Sequence, residues 1–201
     1  MSGIIAQNTL DNSGLIKAPE GGGAWNFIAK ETASASADIS FTSGIDSTYK
    51  EYIFTFKNLH PATDVSQLTF QTSTDGGSSY GVTLTSTFFY ASHAEADGGD
   101  QFYYWDARDL AQSTSFQMLS EDAGNDTDEN YAGYLHLFNP SSTTFVKHFM
   151  STVQSTHRSN YSSVIRAAGY FNTTSAIDAV QFKMSSGNTD AGDICLYGLT
   201  T

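Results

Sequence analysis

The chain has 201 residues and a formal net charge of −12, and its nine lysine and arginine residues are scattered along it. This charge excludes nucleic acid and anionic membranes as expected partners, because both are bound through clustered positive charge. Ser, Thr and aromatic residues are abundant, whereas Leu, Lys, Arg and Glu are sparse, which excludes a helical protein and predicts an all-β fold.

The single cysteine, Cys195, precludes a disulfide bond within the chain, and we expect it to be a buried side chain of a C-terminal strand. No stretch approaches the roughly 20 apolar residues of a membrane helix. The N-terminus lacks the charged start and apolar core of a signal peptide, so we expect synthesis in a cytoplasm.

The first 23 residues differ in character from the rest of the chain. Two apolar pairs, Ile4-Ile5 and Leu15-Ile16, lie among polar residues, and Pro19–Gly23 forms a glycine-rich hinge. Such a segment is too short to bury its own apolar groups. We therefore predict that residues 1–23 are an extended arm that docks on another molecule through Ile4, Ile5, Leu15 and Ile16.

Residues 24–201 read as a succession of short strands with turn residues between them. About eleven strands at these intervals predict one domain, a two-sheet antiparallel sandwich of the jelly-roll kind. Residues 58–64 are predicted to be a loop, and residues 106–112 a short helical turn. The predicted strands are Trp25–Ala29, Ala37–Thr42, Tyr52–Phe56, two within Leu68–Tyr90, Gln101–Trp105, Phe116–Leu119, Tyr131–Phe138, Thr144–Val153, Tyr161–Phe171, Ile177–Met184 and Ile194–Leu199.

The stretch Gly77–Gly81 fits the G-x-S-x-G pattern of serine hydrolases, with Ser79 in the nucleophile position. A nucleophile elbow needs a strand before it and a helix after it. Here the residues on both sides alternate with a period of two, and Asp75-Gly76-Gly77 is typical of a tight turn. We therefore interpret Leu68–Tyr90 as a β-hairpin and not as a catalytic motif.

An aromatic and acidic cluster follows between residues 88 and 105. Sugar-binding sites place aromatic rings against a pyranose ring and carboxylates against its hydroxyl groups, and Asp97, Asp100, Tyr103 and Trp105 provide both kinds of group. They are candidates for contact with a glycan or a protein partner. The alternative is that alternate aromatic residues fill the core.

The loop 120–130 is rich in carboxylates, and Asp122, Asp126 and Asp128 are weak candidates for calcium binding. The loop does not match the EF-hand pattern, so a solvated loop is the favoured interpretation. The histidines show no zinc-binding spacing, and no nucleotide-binding motif or paired catalytic carboxylates are apparent. We expect no enzymatic activity, no cofactor and no metal.

Several phrases of the sequence resemble small β-rich proteins of marine bacteriophages, including phages of cyanobacteria. They are SGLIKA in the arm, Trp25–Ile28, FTSGIDSTYKEYIFTFKNLHPATD, FNPSSTTFVKHFMS and AAGYFNTTSAIDAVQFKMSSGNTDAGDICLYG. The resemblance covers nearly the whole chain. It implies a structural protein of the virion, such as a capsid decoration, a head fibre or a tail appendage, and it carries no active-site residues.

The expected function is therefore that of a multi-copy bacteriophage virion protein which docks through its arm onto major capsid or tail proteins. A homo-oligomer is expected, with a trimer as one option. The alternative function is a carbohydrate-binding or host-receptor-binding β-sandwich at the tip of a phage fibre, with a host surface glycan as its ligand. The two functions are compatible, because an adhesive head can sit on a docked arm.

Overall fold

The computed structural model describes residues 25–200, in which twelve strands and one 3₁₀ turn form the regular structure. The 3₁₀ turn, Asp106–Arg108, lies where a short helical turn was predicted. None of the helical structure within residues 25–200 has the length and apolar character needed to cross a membrane. The strands are β1 (Trp25–Thr32), β2 (Ile39–Phe41), β3 (Glu51–Pro61), β4 (Leu68–Ser73), β5 (Leu84–Ala94), β6 (Gln101–Tyr104), β7 (Gln117–Met118), β8 (Tyr131–Phe138), β9 (Lys147–His157), β10 (Tyr161–Phe171), β11 (Ala179–Met184) and β12 (Thr189–Leu199).

The strands form two antiparallel sheets that pack face to face. The larger sheet has eight strands in the order β1-β12-β3-β8-β9-β10-β5-β6, and the smaller has four in the order β2-β11-β4-β7. This arrangement confirms the predicted all-β, two-sheet antiparallel sandwich.

Eight of these strands have the connectivity of a jelly roll. They form four nested antiparallel pairs, in which β1 pairs with β12, β2 with β11, β3 with β8 and β4 with β7. The pairs alternate between the two sheets, so the chain behaves as one long hairpin wrapped around the core. The jelly-roll prediction is therefore confirmed.

The remaining strands are two inserted hairpins that enlarge one sheet only. The hairpin β9–β10 follows β8, the hairpin β5–β6 follows β4, and the two are joined because β10 pairs with β5 along their whole lengths. The eight-stranded sheet therefore has an extended outer face, and this face carries the candidate site.

Aromatic side chains from both sheets meet in the core. Phe54 of the larger sheet and Phe182 of the smaller have ring centroids 5.2 Å apart, and Phe149 and Phe70 have centroids 4.9 Å apart. All four side chains are buried. Cys195 is also buried and unpaired, as predicted. A period of two places these residues on the inner faces, where aromatic rings add edge-to-face contacts to their buried area.

The predicted hairpin across Leu68–Tyr90 is wrong. β4 lies in the four-stranded sheet and β5 in the eight-stranded sheet, so the connection 74–83 crosses from one sheet to the other. The predicted turn does form, with positive φ at Gly76 and Gly77. The error arose because a period of two on both sides of a turn is common to hairpins and to sheet-crossing connections.

The predicted loop over residues 58–64 is also partly wrong, because β3 continues to Pro61. The strand register shifts between Phe56 and Leu59, and Asn58 adopts a positive φ of 50° at this irregularity. Pro61 has no backbone N–H to donate. Because it is the last residue of the strand, this lack does not interrupt the hydrogen bonds of the sheet. The bulge therefore carries the strand past residues that look like a loop.

Candidate functional site

Alternation along β5 and β6 separates their aromatic residues onto two faces. Phe88 and Tyr90 point into the core, whereas Phe89 between them is exposed on the outer face. On β6, Phe102 and Tyr104 lie opposite Ala91 and Phe89 respectively, so they share that outer face. Phe102 is 81% exposed, which is unusual for so large an apolar side chain.

The exposed aromatic residues border a groove of about 680 Å³ on the outer face of β8, β9, β10, β5 and β6. One row across the strands consists of Phe89, Arg166, Thr152 and Tyr134, each opposite the next in the register of the sheet. Small neighbours leave space between the large side chains. The groove is therefore mostly apolar, and aromatic rings lie on both sides of its centre. Its main lining residues are Phe89, Ala91, Phe102, Tyr134, Met150 and Ala168.

Arg166 gives this apolar groove a positive centre. Its side chain is exposed, and within residues 25–200 no carboxylate lies close enough to form an ion pair with it. The other basic side chain of the groove is His136, whose Nε2 lies 2.9 Å from Glu51 Oε2 without the alignment of a hydrogen bond. An unpaired guanidinium between aromatic rings can bind a carboxylate or phosphate group through two parallel hydrogen bonds.

At the rim of the groove, the hydroxyl of Tyr104 donates a hydrogen bond to the Asp109 carboxylate. This bond raises the pKa of Tyr104 above its usual range, so the hydroxyl stays protonated at neutral pH. Since β6 is a short edge strand, the bond to Asp109 ties its end to the chain that follows it. The rim of the groove therefore carries a neutral tyrosine hydroxyl that is held by a hydrogen bond.

The four predicted contact residues of the 88–105 cluster do not share one surface. Tyr103 and Trp105 lie on the inner side of β6, where their rings contact Tyr90 at centroid distances of 5.1 and 5.9 Å. Asp97 and Asp100 lie at the exposed β5–β6 turn, where the Asp100 carboxylate is hydrogen-bonded to the ring of His93. Their role in glycan or partner contact stays a prediction, and the groove lies on the opposite face.

The three calcium candidates are not brought together either. Asp126 and Asp128 are exposed in the turn before β8, whereas Asp122 is partly buried and accepts a hydrogen bond from Gln67. The predicted picture of a wholly solvated loop is wrong, because Glu121 and Glu129 in the same loop are buried. The structure groups Asp122 with Glu121 and His157, and the histidine is too distant in sequence to have suggested this.

Two further predictions concern other parts of the chain. Ser79 is exposed, its hydroxyl donates to Asp75 Oδ2 at 2.6 Å, and β5 follows where a nucleophile elbow requires a helix. The arm residues Ile4, Ile5, Leu15 and Ile16 lie outside the described residues 25–200. Their docking role stays a prediction.

A second exposed aromatic group, which we name the edge cluster, lies at the opposite edge of the eight-stranded sheet. It consists of Trp25 and Phe27 on β1 and Tyr197 on β12. The ring centroids of Trp25 and Phe27 lie 5.4 and 5.8 Å, respectively, from that of Tyr197. Phe27 is 62% exposed. The cluster lies at the point where the described chain begins, directly after the predicted arm.

Comparison with known proteins assigns the chain to no group: no protein-family model matches it, and no curated protein matches it significantly.

Proposed function

We propose that this protein is a multi-copy structural component of a bacteriophage particle, attached through its N-terminal arm and the edge cluster to a major capsid or tail protein. The observation that carries this proposal is the exposed aromatic edge of β1, which continues in the chain from the apolar arm. The resemblance to marine phage proteins supports the kind of particle. The jelly-roll connectivity is compatible, since it recurs in viral capsid proteins and in lectins.

The edge position of β1 favours attachment there. Among the described residues, β12 is the one strand that pairs with β1, which places β1 at an edge of the sheet. An edge strand can pair with a strand of another protein through its outer backbone groups. Trp25 and Phe27 then supply apolar area next to those hydrogen bonds. Aromatic anchors of this kind commonly dominate binding energy at interfaces, at about 2 kcal/mol or more each. Several copies on one particle make even moderate contacts sufficient.

Incorporation into particles tests this proposal. Particles are assembled with the wild-type protein, with a deletion of residues 2–20, or with the Trp25→Ser/Phe27→Ser double variant, and the bound protein is quantified by mass spectrometry. We expect both changes to reduce incorporation by about tenfold or more.

The matched control for incorporation is Phe145→Ser, which changes a side chain that is 69% exposed in the β8–β9 connection, and β8 is three strands across the sheet from β1. We expect this variant to be incorporated normally. Wild-type incorporation of both the deletion and the double variant, with folded protein in each case, would refute attachment through this edge.

A second function is favoured by Arg166 in the aromatic groove, which has no ion pair within residues 25–200. We propose that the groove binds an acidic glycan of the host surface, with sugar rings against Phe102 and Tyr134 and a carboxylate on the Arg166 guanidinium. A concave groove suits an extended chain better than a second copy of the same concave face. The net charge of −12 opposes acidic ligands, but at physiological salt charges beyond about 8 Å are largely screened.

A glycan array that contains acidic and neutral oligosaccharides tests the second function. Affinities in the millimolar to micromolar range, roughly 4 to 8 kcal/mol, are expected for one site. Arg166→Gln should remove the preference for acidic glycans, and Phe102→Ala should weaken all binding. Trp105→Ser is not a suitable probe, because Trp105 contacts core residues. A preference for neutral glycans that Arg166→Gln leaves unchanged would exclude the proposed role of the guanidinium.

A further inference from the structure

The loop between β7 and β8 and the end of β9 bring together three side chains that the proposed function does not use. One ligand atom from each of Glu121, Asp122 and His157 lies within 4.8 Å of the other two. Within residues 25–200, it is the only group of three or more potential metal-binding side chains with this spacing. It is distant from the groove, because it lies where the loop meets the final residue of β9.

Backbone hydrogen bonds hold this group in place. Ala123 forms an antiparallel bridge with Ser66, with N–O distances of 3.2 and 3.3 Å, and a second bridge with His157. The hydroxyl of buried Tyr131 lies 3.0 Å from the Ala123 nitrogen and 3.1 Å from the Glu121 carbonyl oxygen. The positions of Glu121 and Asp122 are therefore fixed relative to β9 by the core and do not depend on a flexible loop.

One carboxylate oxygen of Glu121 is buried without a partner among residues 25–200. The residue is 6% exposed, and the atom concerned, Oε2, has no hydrogen bond within that part of the chain. Within residues 25–200, no lysine or arginine forms an ion pair with it. Burial of an unpartnered carboxylate oxygen is costly, so native proteins usually satisfy such atoms with a hydrogen bond or a bound cation.

The carboxylates of the group lie near the histidine ring without direct contact with it. Within residues 25–200, no carboxylate oxygen lies within 4.0 Å of a ring nitrogen of His157. The ligand atoms of the three residues nevertheless lie within 4.8 Å of one another. An ion that binds each ligand at about 2.0–2.2 Å keeps the ligand atoms roughly 3–4 Å apart. Small rotations of the side chains would close the group around such an ion.

His157 has one ring nitrogen free for this role. Its Nδ1 accepts a hydrogen bond from the Ser159 N–H at 3.1 Å, and Nε2 has no hydrogen bond among the described residues. Binding through Nε2 moves the ring proton to Nδ1, so the Ser159 N–H must turn away from the ring.

We propose that Glu121, Asp122 and His157 bind one Zn²⁺ ion and leave a fourth position for water. Zinc accepts imidazole nitrogen together with carboxylate oxygen, whereas calcium and magnesium take oxygen ligands. The ion supplies the missing partner of Glu121 and joins the β7–β8 loop to the end of β9.

Metal titration of the full-length protein, stripped with a chelator, tests this proposal. Competition with a chromophoric chelator should show one tightly bound Zn²⁺ per chain. Glu121→Gln, Asp122→Asn and His157→Gln should each weaken Zn²⁺ binding by about 10- to 100-fold, while Ca²⁺ and Mg²⁺ bind far more weakly to the wild type. Zn²⁺ should also raise the Tm of the wild type and shift the Ser159 amide resonance.

Two control variants separate this site from the other carboxylates. The Asp126→Asn/Asp128→Asn double variant removes the exposed charges of the neighbouring turn, and His93→Gln removes the exposed histidine beside Asp97 and Asp100. Both should retain tight Zn²⁺ binding. The proposal is overturned by the absence of tight Zn²⁺ binding, by a preference for Ca²⁺, or by binding that His93→Gln abolishes. It is also overturned if Asp122→Asn, folded by circular dichroism, binds as the wild type does.

Discussion

Both faces of the eight-stranded sheet carry aromatic side chains, which are mostly buried in the core on the inner face and exposed on the outer face. On the inner face Phe88 is completely buried, whereas one residue further along β5, Phe89 faces solvent. On β6 the inner Tyr103 contacts Tyr90, and the outer Phe102 is almost wholly exposed. The difference shows that aromatic content alone does not separate folding from binding, because the side of the pleat decides between them.

The free energy associated with the two faces differs accordingly. An aromatic side chain that becomes buried removes about 150–250 Å² of surface from water. At roughly 25 cal/mol per Å² this amounts to about 4–6 kcal/mol, and the inner face gains it when the chain folds. For the exposed aromatic residues of the outer face, much of this free energy is gained only when a partner covers the groove or the edge cluster. A residue important for binding is therefore expected to contribute little to stability.

The largest expected effect separates the two faces directly. Phe88→Ala creates a cavity between β5 and Trp105, whose ring centroid is 6.1 Å from that of Phe88, and should lower the free energy of unfolding by about 3–5 kcal/mol. Phe102→Ala removes an equal side chain from the outer face and should change it by less than about 0.5 kcal/mol. Urea denaturation followed by circular dichroism measures both. Similar losses for the two variants would contradict the comparison.

A smaller effect is expected at a polar contact of the inner face. The Ser86 hydroxyl on β5 donates to the Gln117 side chain on β7, which belongs to the opposite sheet, and accepts a hydrogen bond from Leu110 N–H at 2.9 Å. Ser86→Ala removes the hydroxyl, so the Gln117 side chain and the Leu110 N–H each lose a hydrogen bond. It should lower the free energy of unfolding by about 1–3 kcal/mol.

The control for Ser86 is its outward neighbour Thr87, whose hydroxyl makes one long hydrogen bond to Ala168 O at 3.4 Å. Thr87→Ala should cost less than about 1 kcal/mol, mainly through strand propensity. If thermal or urea denaturation shows that Ser86→Ala costs no more than Thr87→Ala, the inter-sheet hydrogen bond does not stabilise the fold.

The sequence predicted the strands well because their period of two is a local property. β8 and β10 begin and end at the predicted residues, and the nested pairing confirms the sandwich. The groove could not be predicted, because it requires knowing that Arg166 lies opposite Phe89 and Thr152. Those pairings depend on two hairpins inserted far apart in the chain. For the same reason, the sequence does not show that Tyr103 lies on the inner side of β6 and Phe102 on the outer side.

The group of Glu121, Asp122 and His157 shows a second limit of sequence reasoning. The signal in the sequence was an acidic loop, which pointed to its exposed aspartates. The side chains that lie together depend on Ala123, which bridges Ser66 and His157 through its backbone. Backbone pairing of this kind leaves no pattern in side-chain chemistry, so only the folded structure reveals the group.

The smallest expected effect concerns the polar turn that connects the two sheets and belongs to neither face. The Asp75 carboxylate accepts hydrogen bonds from the hydroxyls of Ser73 and Ser79 at 2.6 Å and from the Ser79 N–H at 2.9 Å. These bonds lower the pKa of Asp75 from 3.8 to about 2, and the bond from the Ser73 hydroxyl contributes most. Since the folded state holds the ionised form, this contribution to stability is complete above pH 3.8 and is lost as the pH falls through about 2.

Asp75→Asn tests this contribution. The difference in unfolding free energy between wild type and variant should be constant near neutral pH and shrink as the pH falls from 3.8 towards 2, as measured by urea denaturation at a series of pH values. Ser79→Ala removes one of the donors and should move this decline to higher pH. A difference that stays constant down to pH 2 would mean that the turn does not favour the ionised carboxylate. The exposed polar turn would then resemble the outer face, where side chains contribute little to stability.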